Sequence, residues 1–223
     1  MKQHLFGYLA SYLYLFGVIL AVTLVQKLTH IQTELSRKII HILIGTTWLI
    51  LYHFFWPDWQ ILIVPVSFIL INGLSYKYKL FSAIERTDAG ENHLGTIYFS
   101  IAMTLLLALA LIFPKTILAS GLAVACLCFG DGFAAICGTL ARHPIAITRH
   151  KTVQGTIGCM LAALFGVLFF GWLMGMTIPV SCAVLLAAAT GILELVGHGL
   201  DNFSIVFGIY ALASVLILNG VIG

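Results

Sequence analysis

Long, uninterrupted apolar runs restrict what this chain can fold into more than any other feature. A helix crosses the hydrocarbon core of a bilayer with about 20 mainly apolar residues, and eight runs approach or exceed that length: 5–25, 39–55, 59–74, 94–113, 116–138, 152–173, 178–196 and 203–221. Since 61% of the residues are hydrophobic and only 9% are charged, the chain cannot cover a water-soluble globule with ionic groups. The runs are too long for barrel strands, and a bilayer offers open backbone groups no hydrogen-bond partner. We therefore predict an all-α, polytopic transmembrane helix bundle of about eight spans that forms a single membrane domain over residues 1–223.

The basic residues predict how this bundle is oriented. Short cytoplasmic loops of membrane proteins carry the excess of Lys and Arg. In the eight-span arrangement, nine of the eleven basic residues flank the first, third and fifth connections: Lys27, Arg37, Lys38, Lys77, Lys79, Arg86, Arg142, Arg149 and Lys151. The distribution predicts an integral, multi-pass protein with both termini on the non-cytoplasmic side. No polybasic run indicates binding to nucleic acid.

Seven of the eight acidic residues fall at the same predicted cytoplasmic face: Glu34, Glu85, Asp88, Glu91, Asp131, Glu194 and Asp201. Carboxylates contribute little to the orientation of insertion, so this one-sided distribution needs another cause. Either the acids balance nearby bases, or they form a cation-dependent site at this surface.

Asp131 lies inside an apolar run, in the segment Gly-Asp-Gly. An aspartate at mid-helix costs about 3 kcal/mol on insertion scales, so it needs a cation, a partner or a water-filled cavity. Gly130 and Gly132 leave room for a phosphate or a metal to approach the backbone, although close packing of helices explains small residues equally well.

Two further segments carry groups suited to phosphates and cations. Lys151 precedes the sixth run and can bind phosphate as a point charge, while Thr152 and Thr156 can cap the helix that follows. An ordinary basic span boundary with a threonine cap explains this segment equally well. Glu194, at the end of the seventh run, is followed by Asp201 and Asn202, and all three offer oxygen ligands of the kind Mg²⁺ uses. No Lys or Arg lies in that stretch, so local charge balancing does not explain its acids.

Two more clusters lie at the predicted cytoplasmic face. Arg37 and His41 share a helical face because they are four residues apart, which places His41 one turn deeper in the bilayer. The loop that contains Glu85, Asp88 and Glu91 is either a plain solvated loop or the source of a general base or a second metal ligand.

Four motifs taken in order resemble the polyprenol kinase family, which contains dolichol kinase, phytol kinase and CTP-dependent diacylglycerol kinase and is related to phosphatidate cytidylyltransferase. The motifs are Arg-Lys-x-x-His, Gly-Asp-x-x-Ala-x-x-x-Gly, Lys-Thr-x-x-Gly-Thr and Glu followed after six residues by Asp-Asn, and together they extend over about residues 36–202. Two positions depart from the pattern. Gln154 stands where relatives often have Glu, and Leu200 stands where some have a second Asp.

The resemblance implies a lipid-alcohol kinase. Such an enzyme transfers the terminal phosphoryl group of a nucleoside triphosphate, CTP in this family, to an isoprenoid alcohol such as phytol, dolichol or polyprenol, or to diacylglycerol, at the cytoplasmic membrane face. It implies catalytic roles for Asp131, Lys151 and Asp201 and a Mg²⁺ ion held by Asp131, Asp201, Glu194 and Asn202. Phosphate or nucleotide binding is expected from Arg37, Lys38, Gly130, Gly132, Lys151, Thr152, Gly155 and Thr156. Glu85 or Asp88 is the predicted base, and His41 and His198 are further candidates.

Two other functions remain open at this point. A phosphatidate cytidylyltransferase would use a similar metal and phosphate face but would release pyrophosphate. An ion or solute transporter also buries carboxylates, although it usually places them near the midplane rather than at one face.

Overall fold

The computed structural model describes residues 2–78, 94–148, 151–197 and 200–223. Within these ranges the chain forms ten α-helices: α1 Lys2–Thr29, α2 Thr33–Gly45, α3 Thr47–Phe55, α4 Ile63–Tyr78, α5 Gly95–Ile112, α6 Ile117–Ala125, α7 Gly132–Leu140, α8 Val153–Leu173, α9 Val180–Val196 and α10 Asp201–Leu218. Short 3₁₀ turns at Trp59–Leu62 and Pro114–Thr116 lead into α4 and α6, and a π-helical segment at Cys126–Asp131 joins α6 to α7.

Seven helical stretches in the described ranges are long and apolar enough to cross a membrane, and α9 is a shorter apolar helix of 17 residues. The prediction of an all-α, polytopic membrane bundle is confirmed. The second predicted run corresponds to the stretch Thr33–Phe55, which begins earlier than predicted because α2 carries polar residues before its apolar part. The side of the membrane on which the termini lie stays a prediction.

The chain divides into two compact units, Met1–Ile112 with α1 to α5 and Phe113–Gly223 with α6 to α10. In the first unit, α1 buries one narrow stripe, whose members recur every three or four residues as expected for a single helical face: Gly7, Ser11, Leu15, Ile19 and Val22. Its exposed side chains are also apolar, as at Leu9, Leu13 and Leu20. A helix that is apolar on all sides is suited to lipid rather than to water.

The second unit is built around one buried helical column. Residues 119–132, which run from α6 through the π-helical segment into α7, are all buried. Helices α8, α9 and α10 pack around this column. The beginning of α8, the end of α9 and the beginning of α10 carry the charged residues discussed below, so the column positions the candidate site.

The buried stripe of α1 offers a direct test of its packing. A Cβ added at Gly7 would lie 2.6 Å from the Cβ of Phe54 and 2.7 Å from Cζ of Phe55, whereas a Cβ at Gly17 would meet nothing within 4 Å. Ala raises intrinsic helix propensity over Gly by about 1 kcal/mol at both positions. Overpacking at Gly7, in contrast, lowers the free energy of unfolding by about 1–3 kcal/mol. We expect Gly7→Ala to lower the thermal unfolding midpoint in detergent and Gly17→Ala to raise it or leave it unchanged. Equal shifts in the two variants would contradict this packing.

Candidate active site

Lys151 connects two helix ends of the second unit. Its Nζ donates a hydrogen bond to Oε1 of Glu194 at 2.5 Å and lies 3.3 Å from Oδ2 of Asp201. Glu194 belongs to the last turn of α9, and Asp201 is the first residue of α10. A carboxylate in the first turn of a helix is favoured by the positive end of the helix dipole. The ammonium of Lys151 therefore lies between two carboxylates that the sequence predicts to share a metal cation.

The three side chains are withdrawn from solvent to different extents. The side chain of Glu194 is 4% exposed, against 18% for Lys151 and 20% for Asp201. Burial by itself lowers the pKa of Lys151, but the hydrogen bond to Glu194 and the negative charges of Asp201, Glu194 and Asp131 outweigh it. The pKa of Lys151 is thus raised above its ordinary value, and the ammonium stays charged at neutral pH.

Asp131 ends the π-helical segment and is 8% exposed. Its carboxylate is close enough to Lys151 to act on the ammonium electrostatically. Single π-helical turns within α-helices occur frequently at functional sites, because the wider turn re-aims the side chains that follow it. Among the described residues, Lys151 thus lies within electrostatic range of the carboxylates of Asp131, Glu194 and Asp201.

The start of α8 is capped as the sequence predicts. The hydroxyl of Thr152 accepts a hydrogen bond from the backbone N–H of Gly155 at 3.1 Å, which satisfies one of the free donors of the first turn. The hydroxyl of Thr156 donates to the carbonyl of Thr152 at 3.2 Å. The helix therefore begins directly after Lys151, which fixes where the lysine backbone lies relative to α8. Binding of phosphate by Thr152, Gly155 and Thr156 stays a prediction.

The glycines of this region allow helices to approach one another closely. A Cβ at Gly130 would lie 2.8 Å from Cγ2 of Thr190, and one at Gly155 would lie 2.8 Å from the carbonyl oxygen of Ala134. Gly132 is buried as well. These contacts support the packing role that the sequence left open for the small residues, while their proposed role in phosphate binding stays a prediction.

Asn202 follows Asp201 in the first turn of α10 and is partly exposed. Among the described residues, no three His, Cys, Asp or Glu side chains are grouped so that they could hold a metal ion by themselves. The predicted metal set of Asp131, Glu194, Asp201 and Asn202 is therefore not a complete protein cage, and its binding of Mg²⁺ stays a prediction.

The first unit contains the other predicted phosphate-binding residues. Arg37 lies in α2, and its Nη1 donates to Oε2 of Glu34 at 2.6 Å. The His41 ring packs edge-on against Phe99 with the ring centroids 4.9 Å apart. Lys38 is partly exposed on the same helix. The roles of Arg37, Lys38 and His41 stay predictions.

Three predicted residues lie outside the described residues, namely Glu85, Asp88 and His198. Sequence reasoning missed the cation that pairs with Glu194 and Asp201, because Lys151 is 43 and 50 residues away from them along the chain. The stretch from Glu194 to Asn202 contains no Lys or Arg. That was the available signal that a cation from another part of the chain pairs with its acids.

The fold and this cluster together define a multi-pass membrane protein with a partly buried, charged site at helix ends. A curated phytol kinase from Synechocystis sp. is 28% identical to the chain over 194 residues, which cover 86% of this chain and 79% of that kinase. No family model matches the chain. No solved structure matches it either.

The similarity to this kinase supports the resemblance to the polyprenol and phytol kinase family that the sequence motifs carry. The same similarity supports a lipid-alcohol kinase at the level of the family. The residues that carried the resemblance include those that the structure brings together around Lys151.

The pairing of Lys151 with Glu194 predicts a pattern of stability changes that does not depend on function. Removal of one partner from a buried ion pair costs about 3–5 kcal/mol, because the remaining charge has no counterion. We expect Lys151→Met to lower the thermal unfolding midpoint, and the double variant Lys151→Met/Glu194→Gln to recover much of that loss. Lys115→Met removes an exposed lysine of the same unit and should have little effect. Additive losses in the double variant would contradict a direct pairing.

Proposed function

We propose that this protein transfers the terminal phosphoryl group of CTP to the hydroxyl of an isoprenoid alcohol, with phytol as the first candidate, at the cytoplasmic face of a membrane. Dolichol or another polyprenol and diacylglycerol are the other acceptors that the family resemblance suggests. Phytol comes first because the similar Synechocystis protein is a phytol kinase. The cytoplasmic side is inferred from the distribution of Lys and Arg along the chain.

The observation that carries the proposal is the position of Lys151 between Glu194 and Asp201, with Asp131 in electrostatic range. Phosphoryl transfer needs little covalent chemistry from a protein and depends mainly on positioning and on neutralising charge. A lysine with a raised pKa supplies a permanent positive charge for phosphate oxygens. Its long, flexible side chain lets the ammonium turn from the carboxylates towards the phosphates of a bound nucleotide.

The carboxylates fit a divalent cation. Oε2 of Glu194 is buried and has no hydrogen-bond partner among the described residues. Mg²⁺ is usually held by one or two carboxylates, with phosphates and waters as the remaining ligands, so a complete protein cage is not required. One or two of the carboxylates of Asp131, Glu194 and Asp201, with the amide oxygen of Asn202, would hold Mg²⁺, which would neutralise the charge that develops on the phosphates.

In the proposed reaction the hydroxyl oxygen of the lipid alcohol forms a bond to the γ-phosphorus of CTP, and the bond from that phosphorus to the β–γ bridging oxygen breaks. The hydroxyl proton passes to a carboxylate, for which Glu85 and Asp88 are the candidates. Lys151 stabilises the negative charge that accumulates on the leaving diphosphate. The products are a lipid monophosphate and CDP.

The first experiment incubates the purified protein in detergent with Mg²⁺, γ-labelled CTP or ATP, and a panel of phytol, polyprenol, diacylglycerol and phosphatidic acid. We expect the label on a lipid alcohol, more from CTP than from ATP, with CDP as the second product. Addition of EDTA should abolish the transfer if the cation is required.

Other outcomes of this experiment would replace the proposal. Release of pyrophosphate from CTP with phosphatidic acid as the acceptor would indicate a cytidylyltransferase. If neither product forms, solute flux in proteoliposomes that depends on Asp131 would indicate a transporter.

A carboxylate-to-amide pair of variants tests the assignment of Asp131. Asp131→Asn keeps the size of the side chain and removes its charge, so we expect activity to fall by a factor of about 10³ or more while the protein stays folded and inserted. Asp58→Asn is the matched control, since Asp58 lies in the first unit, where it caps the 3₁₀ turn at Trp59–Leu62, and Asn caps equally well. Activity near the wild-type level in Asp131→Asn would remove Asp131 from the site.

A further inference from the structure

The segment before α8 is held in a small antiparallel arrangement that sets the backbone of Lys151. The carbonyl of Lys151 accepts hydrogen bonds from the backbone N–H groups of Ile147 at 2.8 Å and Thr148 at 3.2 Å. The N–H of Val153 donates to the carbonyl of Ile145 at 2.9 Å, and Ala146 and Thr152 form an isolated antiparallel bridge. The backbone of Lys151 is thus bonded to Ile147 and Thr148, and its neighbours Thr152 and Val153 pair with Ala146 and Ile145.

The side chain of Gln154 extends this ladder by one step. Its Oε1 accepts a hydrogen bond from the backbone N–H of Ile145 at 3.0 Å, and its Nε2 donates to the carbonyl of His143 at 2.9 Å. These two backbone groups flank Pro144, which has no N–H to offer. The amide of Gln154 therefore pairs with the segment as a neighbouring strand would, and it holds residues 143–145, which directly precede the residues bonded to the backbone of Lys151.

We propose that Gln154 is a positioning residue, whose side-chain amide clamps residues 143–145 and thereby holds the ammonium of Lys151 at Glu194 and Asp201. The consequence for catalysis rests on the proposed function, but the effect on the position of Lys151 does not. Gln154 is the second residue of α8, so the clamp joins the segment directly to the helix that Thr152 caps.

The clamp requires an amide rather than a carboxylate. An ionised Glu at position 154 accepts from the N–H of Ile145 but has no hydrogen to offer the carbonyl of His143, so two oxygens would face each other. A protonated Glu restores both interactions because it carries one O–H donor and one free acceptor. Gln154 is thus matched to the two backbone groups that it contacts.

The first test measures the position of Lys151 without any assay of activity. Amine acetylation of the intact, detergent-solubilised protein is followed by mass spectrometry, with Lys115 of the same molecule as the internal reference. Gln154→Met keeps the length of the side chain and removes both hydrogen bonds. We expect Lys151 to be labelled several-fold faster relative to Lys115 in this variant, because the loss of one or two neutral hydrogen bonds changes a rate by about tenfold. An unchanged labelling ratio would overturn the proposal.

The matched control is Gln26→Glu. Gln26 also donates from its amide, to the hydroxyl of Thr33 at 3.1 Å, but that hydroxyl can reverse its role and donate to a carboxylate. The labelling of Lys151 should be unchanged in this variant, and so should activity. Thermal unfolding midpoints of all the variants identify any that fail to fold.

The second test uses the pH dependence of lipid phosphorylation in Gln154→Glu. We expect the rate of this variant at neutral pH to be about one tenth of the wild-type rate. The ratio should recover as the pH falls through the pKa of the introduced carboxyl. The ratio for Gln154→Met should stay low at every pH, since methionine cannot regain the hydrogen bonds.

A Gln154→Glu ratio that does not depend on pH would overturn the role of the amide. A wild-type protein without kinase activity would instead refute the proposed function and leave the labelling result valid.

Discussion

The ion pair between Lys151 and Glu194 determines how the second unit is put together. A carboxylate withdrawn from water at the end of an apolar helix is costly unless a cation accompanies it, and the side chain of Glu194 is only 4% exposed. Lys151 provides that cation and reaches Asp201 at the same time. The ammonium of Lys151 therefore connects three helix ends, namely the start of α8, the end of α9 and the start of α10.

Close approach of the helices makes these short distances achievable. A side chain at Gly155 would meet the carbonyl of Ala134, and one at Gly158 would meet the side chain of Cys137, so α7 and α8 pack almost backbone to backbone. Gly130 gives the π-helical segment the same access to α8 and α9. Small residues in a membrane bundle thus serve to bring polar groups within reach of one another.

The concentration of charged groups around Lys151 connects the fold to its proposed chemistry. Three carboxylates act on one lysine, and one buried oxygen of Glu194 has no hydrogen-bond partner among the described residues. In the proposed function, these carboxylates would hold a cation, and that cation and Lys151 would bind the phosphates of a nucleotide. The backbone of Lys151 is held by hydrogen bonds to Ile147 and Thr148, so the lysine is positioned before any ligand arrives. Positioned charge is the main contribution that a protein makes to phosphoryl transfer.

The sequence by itself determined the fold class and the identity of the charged residues. Apolar runs of this length predict membrane helices because a bilayer leaves a polar backbone no other arrangement, and the order of the motifs around Asp131, Lys151 and Asp201 indicated the family. Local rules also predicted the Thr152 cap, since capping involves residues that are neighbours along the chain. The sequence did not show that Lys151 pairs with Glu194, that residues 126–131 form a π-helical turn, or that Gln154 clamps residues 143–145. Only the tertiary structure decided these features, because they depend on how closely helices pack and on which distant backbone groups that packing brings within the length of a hydrogen bond.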